Sequence, residues 1–360
     1  MAGMDEAGEP ARGLGCLDAL VLRGGMAEAS GWLLHPATPI TAVRLRLDGV
    51  LVGESPVLDR PDVAAAFATV PHAARAGFRV RGPVANIPAD RPLRVESIGL
   101  AHGHAVVAAE EYWPAAGLPP VPTPDAALME RVSAGVEPGW FNRAGYSIAA
   151  QLLAAVRRHL PARIAVPRLL DWGCGPARAT RFMPQIWPGL RPAGCDIDAA
   201  AIAWCRANIP GGQFAVTDPF PPLPFPDGAF DAVVAASVMT HLGWDLQLRW
   251  LTEIRRVLAP GGVFAASLHG PLAAVPRPAA EHAALLRDGR LDAGHDARLD
   301  GIAPADYYRA IYQTEAATRA AWDAVLRVRE YRAGGLGNWQ DLVVLQRAPA
   351  RRGWRAWVGA

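Results

Sequence analysis

The rhythm of apolar and polar positions changes once along this chain. From about residue 17 to 112 the period is two. In TAVRLRLDGVLVGE, Val43, Leu45 and Leu47 alternate with Arg44 and Arg46; Asp48-Gly49 interrupts the run, and Val50 and Val52 resume it. Alternation on both sides of Asp-Gly predicts a β-hairpin, because this dipeptide accepts the positive φ angles of a tight turn. GWLLHP (31–36), GFRVRG (77–82), LRVESIGL (93–100) and HAVVAAEEYW (104–113) predict further short strands. Strands of this length and spacing predict an all-β sandwich.

The segment PAAGLPPVPTPD (114–125) holds five prolines and predicts an extended, semi-rigid linker. Beyond it, helical and strand patterns take turns. Helices are predicted at 146–160, about 177–187 and 200–209, with strands at 168–171, 192–198, 214–218 and 231–237. WDLQLRWLTEIRRVL repeats apolar residues at helical spacing, at Leu246, Trp250, Ile254, Val257 and Leu258, and stops at Pro260-Gly261-Gly262; a strand follows at 262–269. Such alternation implies an α/β domain whose parallel sheet is covered on both faces. The expected organisation is a flexible N-terminus (1–16), a β-sandwich (17–113), the linker (114–125), the α/β domain (126–348) and a flexible tail (349–360).

Composition narrows the chemistry. All 36 basic residues are arginine, against 34 acids, for a net charge of +2. Without lysine there is no Schiff-base or P-loop chemistry. The charge is spread without basic blocks, so no nucleic-acid partner is expected. The start, MAGMDEAGEP, carries acids where a signal peptide needs a positive region, and no apolar run approaches a bilayer span, so a cytoplasmic location is expected. Cys16, Cys174, Cys195 and Cys205 form no C-x-x-C pair, which argues against zinc or a disulfide framework. His102 and His104 lack acidic or sulfur partners and read as an exposed hairpin rather than a metal site. The tail RRGWRAWVGA reads as a frayed end, or as a contact for an anionic surface.

Candidate chemistry centres on LLDWGCGPARATRF (169–182). An apolar run ends in Asp171 and two glycines and then turns toward a helix. In an open parallel sheet, ligands bind beyond the carboxyl ends of the strands, where glycine lets a ligand reach backbone N–H groups. A dinucleotide site would carry a third glycine where Arg178 stands, which weakens a nicotinamide-cofactor reading.

Asp171-Trp172-Gly173-Cys174-Gly175 resembles the first motif of class I S-adenosylmethionine (SAM)-dependent methyltransferases of the type 11/12 kind. Ala177 stands where that family commonly has a further small residue. The resemblance implies a Rossmann-like seven-stranded domain with SAM as cofactor. It further implies that the turn of Gly173, Cys174 and Gly175 holds the methionine part and that Asp171 assists its ammonium group. Asp196 and Ile197, in the CDID segment, stand 25 and 26 residues after Asp171, where an acid would hold both ribose hydroxyls; Asp198 reads as the cap of the next helix. Asp218 would accept from the adenine amino group, Phe220 would line the adenine pocket, and Ser237 would pack its backbone on the cofactor. The segment RVLAPGG (256–262) completes the pattern. The N-terminal half resembles immunoglobulin-like modules that accompany bacterial glycosyltransferases and methyltransferases, on GWLLHP, the Asp-Gly hairpin, RPDVAAAF (60–67) and GFRV.

His241, in SVMTHL, has two readings: general base or acceptor-positioning group, or a histidine bonded to backbone that orders its loop. Acceptor specificity is expected in residues 270–325, where YYRAIYQTE would place Tyr308 and Tyr312 on one helix face. WDAVLRVREY and WQDLVVLQR resemble the closing antiparallel pair of the fold, and Gln340-Asp341 recurs in related bacterial sequences. The implied activity is methyl transfer to a small-molecule or glycan acceptor, such as a hydroxyl of a saccharide or carrier-linked metabolite. The alternative is a glycan- or protein-binding sandwich attached to a degenerate SAM-binding scaffold.

Overall fold

A computed structural model describes residues 10–133 and 135–349. The expected flexible stretch at 1–9 and the expected tail from residue 350 lie outside the described residues. The N-terminal half is built of strands β1 (Ala11–Arg12), β2 (Leu14–Arg23), β3 (Met26–Leu34), β4 (Ala42–Leu47) and β5 (Val50–Pro56), a short helix α1 (Pro61–Ala66), and strands β6 (Gly77–Pro83), β7 (Pro92–Ala101) and β8 (His104–Pro114). They form a five-stranded sheet in the order β1-β8-β7-β4-β5 and a three-stranded sheet in the order β2-β3-β6. The Asp48-Gly49 hairpin is present, with φ of 47° and 83° at its two turn residues. Val43, Leu45 and Leu47 point into one core together with Leu33, Ala29, Phe78 and Val80 of the other sheet. Period-two patterning therefore fixes which face of each sheet is buried. His102 and His104 are exposed at the β7–β8 hairpin.

The expectation of a flexible start needs correction for residues 11–16, which lie in β1 and β2. Leu14 is fully buried beside Leu34, Val63 and Phe67. Gly13, which looks like a loop residue, is needed for close approach: a Cβ there would lie 2.2 Å from Val107 Cγ2.

After residues 115–125, which carry neither helix nor strand, come α2 (Ala126–Val132), α3 (Pro138–His159), β9 (Leu169–Trp172), α4 (Met183–Ile186), β10 (Ala193–Asp196), α5 (Ala199–Asn208), β11 (Gln213–Val216), β12 (Phe230–Ala235), α6 (Trp244–Val257), β13 (Leu258–Leu268), α7 (Ala279–Asp288), β14 (Arg290–His295), β15 (Arg309–Gln313), α8 (Glu315–Trp322), β16 (Arg327–Leu336) and β17 (Gln340–Gln346). The main sheet runs β11-β10-β9-β12-β13-β17-β16, with β17 alone antiparallel to its neighbours. Successive strand residues face opposite sides: Val233 and Ala235 join the core under α6 and α8, while Ala232 and Val234 join the core under α3. This is an α/β Rossmann-like fold of the SAM-dependent methyltransferase type preceded by an all-β region. Strand order reverses direction at β9, with β10 on one side and β12 on the other, so a crevice opens beyond their carboxyl ends. Among the described residues no helix is long and apolar enough to cross a membrane.

Three local expectations differ from the structure. The helix expected at about 177–187 is a 3₁₀ turn (Thr180–Phe182) followed by the four-residue α4. Pro184 has no N–H to donate to Thr180, so no continuous α-helix can pass through it; Ala177, at φ 54°, interrupts the start. The helix expected up to Pro260 ends at Val257, and Leu258 opens β13, with a register break before Val263. RAIYQ (309–313) is strand rather than helix, because β15 pairs antiparallel with β14, and Tyr307 and Tyr308 precede it outside any helix.

The two sheets of the N-terminal half come closest where β6 passes β5: a Cβ on Gly82 would lie 1.9 Å from the Val52 carbonyl oxygen. Replacing Gly82 by Ala forces backbone apart and is expected to cost about 1–3 kcal/mol. Thermal denaturation followed by calorimetry checks this; an unchanged melting temperature would contradict the packing.

Candidate active site

Asp171 ends β9 within the crevice. It is 3% exposed, and its Oδ2 accepts a hydrogen bond from Thr180 Oγ1 at 2.5 Å. Its pKa is pushed up to about 7, chiefly by burial, with the Thr180 hydroxyl opposing and the Asp196 carboxyl adding to the rise. Asp196 ends β10 and accepts from the N–H groups of Gly175 (2.7 Å) and Asp198 (2.8 Å); burial is again the main cause of its raised pKa. Among the described residues neither carboxyl has an ion-pair partner. Asp198, by contrast, caps α5 through the N–H groups of Ala200 and Ala201 and pairs with Arg131 at 2.5 Å. The capping role expected of Asp198 is what the structure gives, which leaves Asp196 as the carboxyl turned toward a ligand.

Between the two acids lies the glycine turn. Gly173 and Gly175 have φ of 74° and 49°, and a Cβ on Gly173 would meet Val238 Cγ2 at 2.3 Å. The turn is fixed from below, with the N–H groups of Gly173 and Cys174 donating to the Cys195 carbonyl. Cys174 is buried against Ile202, Cys205 and Phe214, so it contributes backbone rather than a reactive thiol. Ser237, at φ 60°, follows β12; its N–H donates to Ser267 Oγ at 2.7 Å, and its hydroxyl lies 2.9 Å from the amide nitrogen of Gln340.

These residues border a single cavity of about 380 Å³, which reaches from the glycine turn to the 270–325 segment. Asp171, Gly173, Cys174, Gly175, Asp196, Ile197, Ser237 and His241 all line it. Asp218 and Phe220 do not. Asp218 is exposed, and Thr217, one position earlier and buried, holds the lining place. β11 ends at Val216, and the Thr217 N–H donates to the Asp196 carbonyl, which turns Thr217 inward and its neighbour outward. Phe220 stands at the rim, edge-on to Tyr307 at 5.5 Å.

On the far side, His241 is buried and bonded to backbone. Its Nδ1 lies 3.0 Å from the Arg309 carbonyl. A carbonyl can only accept, so Nδ1 carries the proton and Nε2 keeps a lone pair. Burial, then His269 and Arg298, lower its pKa to about 3. The ring stacks on Tyr308 at 4.0 Å. His269, just past β13, is equally buried; its pKa is lowered to about 4 by burial and by Arg298, and its ring stacks on Tyr312 at 4.9 Å. Tyr308 and Tyr312 both line the cavity, Tyr308 from the residue before β15 and Tyr312 from within it. His269, Thr217, Arg298, Trp339 and Gln340 were not picked out as lining residues from sequence. His269 had a readable signal, because it closes a strand of the same parallel sheet; Arg298 and Trp339 reach the cavity through loops that carry none.

A model of the methyltransferase domain family matches residues 170–266, the span from β9 through most of β13. The core of the α/β half is thus similar to methyltransferase domains that use S-adenosylmethionine. The cofactor this likeness implies, S-adenosyl-L-methionine, is a cation, and the residues fit it: a buried carboxyl, Asp171, and a half-buried one, Asp196, neither with an ion-pair partner among the described residues, border a turn whose glycines allow close backbone approach. Similar proteins include a probable S-adenosylmethionine-dependent methyltransferase of Mycolicibacterium smegmatis (36% identical, over 31% of this chain and 42% of the relative). Others are a trans-aconitate 2-methyltransferase of Paracidovorax citrulli (32%, over 28% and 38%) and a fatty-acid O-methyltransferase of M. smegmatis (36%, over 27% and 35%). The chain thus spans less than half the length of these relatives. A crystal structure of an S-adenosylmethionine-dependent methyltransferase from Mesorhizobium loti aligns over 55% of this chain and 98% of its own, at 18% identity and a TM-score of 0.40.

A cation beside Asp171 favours its ionised form. Below a pKa of about 7, SAM affinity is therefore expected to fall about tenfold per pH unit, with a proton released on binding, and to level off above pH 7. Calorimetry in buffers of differing ionisation enthalpy measures both. Because the raised pKa penalises the folded state above its value, Asp171→Asn should weaken SAM binding while raising the melting temperature at pH 8 by a few degrees, on the order of 1 kcal/mol.

Proposed function

We propose that this protein transfers the methyl group of SAM to a hydroxyl of a small-molecule acceptor, a saccharide or a carrier-linked metabolite, in the cytoplasm. One observation carries the reading: a buried and a half-buried carboxyl, both without an ion-pair partner among the described residues, and a histidine with a free Nε2 border the same cavity. In this reading Asp171 faces the ammonium group and the Gly173-Cys174-Gly175 turn lies against the methionine part. Asp196 takes the ribose hydroxyls, and Ile197 and Thr217 border the adenine. Asp218 and Phe220 act only from the rim, and Ser237 packs beside the cofactor. When bound, SAM supplies an electrophilic methyl carbon; the chain's own task is alignment and removal of a proton.

His241 suits an acceptor that brings a hydrogen. Its Nε2 can accept from a hydroxyl and orient the oxygen, whereas a carboxylate acceptor would meet lone pair with lone pair. The aromatic faces of Tyr308, Tyr312 and Trp339 suit a flat apolar surface such as one side of a sugar ring. A saccharide is also consistent with the N-terminal half. There β3–β6 pair in one sheet and β4–β7–β8 in the other, which supports an immunoglobulin-like accessory module.

Transfer of a labelled methyl group to a panel of sugars, lipid-linked glycans and phenols tests the proposal; label on none of them, with SAM bound, would overturn the acceptor class. His241→Ala is expected to lower kcat by about 10²-fold or more while leaving the SAM Kd within about threefold. With SAM saturating, His241 and His269, at about 3 and about 4, stay neutral above pH 5. They should add no inflection to the pH–rate profile between pH 5 and 8.

A further inference from the structure

The two halves of the chain meet at the turn between β16 and β17, and that turn is also part of the cavity wall. Asn338, at its tip, is buried and held at φ 53°. Its side chain is spent on the β-region. Oδ1 accepts from the Glu110 N–H of β8 at 2.8 Å, and Nδ2 donates to the Gly15 carbonyl of β2 at 3.3 Å and approaches Glu111 Oε1 at 3.5 Å. Next to it, the Gly337 N–H donates to Gln151 Oε1, whose amide nitrogen donates to the Glu110 carbonyl. Apolar packing continues the joint: Phe67 lies edge-on to Trp339 at 6.1 Å, and Leu272 sits in one core with Leu14, Leu34, Val63 and Phe67.

The residues that follow Asn338 face the ligand side. Trp339 and Gln340 line the cavity. The Gln340 amide bonds the Ser237 hydroxyl at the cofactor side and lies 3.5 Å from His269 Nε2 at the acceptor side. A few backbone bonds thus separate a side chain clamped by the sandwich from a side chain that touches both halves of the cavity.

We infer that the β-sandwich is a fixed support of the methyl-transfer site, not an independently working module, and that Asn338 is the positioning residue through which it sets Trp339 and Gln340. Burial explains why this contact is stiff: the amide satisfies backbone groups that no water reaches, so a displaced turn would leave them unpaired. The inference rests on the methyl-transfer reading only for the identity of the ligand.

Asn338→Gly tests it, because glycine keeps the left-handed turn and removes only the clamp. Calorimetry with S-adenosylhomocysteine is run on the full chain carrying Asn338→Gly, Gln340→Ala or both. Each single variant is expected to weaken binding about fivefold and the double variant about fivefold as well, since both cut one route. Additive penalties, or an unchanged Kd in Asn338→Gly, would overturn the inference. Should Asn338→Gly fold poorly, Phe67→Leu loosens Trp339 from the sandwich side. Amide hydrogen exchange at Trp339 and Gln340 should then accelerate while β10 and β11 stay protected; unchanged exchange at the turn would overturn the coupling. Failure of the parent chain to bind S-adenosylhomocysteine would instead remove the methyl-transfer reading, and the exchange measurement would still decide whether the sandwich holds the turn.

Discussion

A buried carboxyl, Asp171, and a half-buried one, Asp196, stand at neighbouring strand tips with no ion-pair partner among the described residues, an unfavourable arrangement in an isolated protein that the strand order of the α/β half imposes. Burial, opposed by the Thr180 hydroxyl and helped by the Asp196 carboxyl, holds Asp171 near half-ionised at neutral pH. A ligand that brings positive charge relieves this penalty, and one that brings negative charge deepens it. The topology supplies the place: β9, β10 and β12 end side by side where the sheet changes direction. The glycine turn between β9 and α4 supplies the approach. Binding selectivity for a sulfonium nucleoside over a dinucleotide follows from charge before any shape is considered.

The opposite wall obeys a different rule. There the ionisable groups are held neutral: two histidines are pushed well below their ordinary range by burial and by Arg298, and the Tyr308 hydroxyl is pushed up by burial. Arg298 itself is answered by Asp296 at 2.5 Å. The cavity is thus charged toward the cofactor and nearly uncharged toward the acceptor. That division suits a reaction in which one partner is a cation and the other must approach it as a weak nucleophile.

Sequence patterning disclosed the frame and the cofactor side well, because strand tips and glycine turns are local. Asp171, Gly173, Gly175 and Asp196 could each be placed from a few neighbouring residues. It disclosed the acceptor side poorly. Tyr308 and Tyr312 are four apart, a spacing that both a helix and a strand put on one face, and only pairing with β14 decides between them. Asp218 was mistaken for a lining group because a one-residue shift at the end of β11 exchanges inside for outside. Gln340-Asp341 could not be interpreted until folded. Asp341, buried, accepts from the Tyr331 hydroxyl and the Gly334 N–H, and Gly270 leaves it room, since a Cβ there would lie 1.8 Å from its Oδ2.

The hairpin of β14 and β15 stands outside the main sheet and touches it through a single bridge, between Tyr312 and His269. Both aromatic platforms and the carbonyl that fixes the tautomer of His241 come from this one peripheral ribbon. Its sequence can therefore drift without disturbing the nucleoside grip, since no residue of the ribbon supplies a hydrogen bond to Asp171 or Asp196. Variation on this fold has an anatomical address: a replaceable cheek on a separately built jaw.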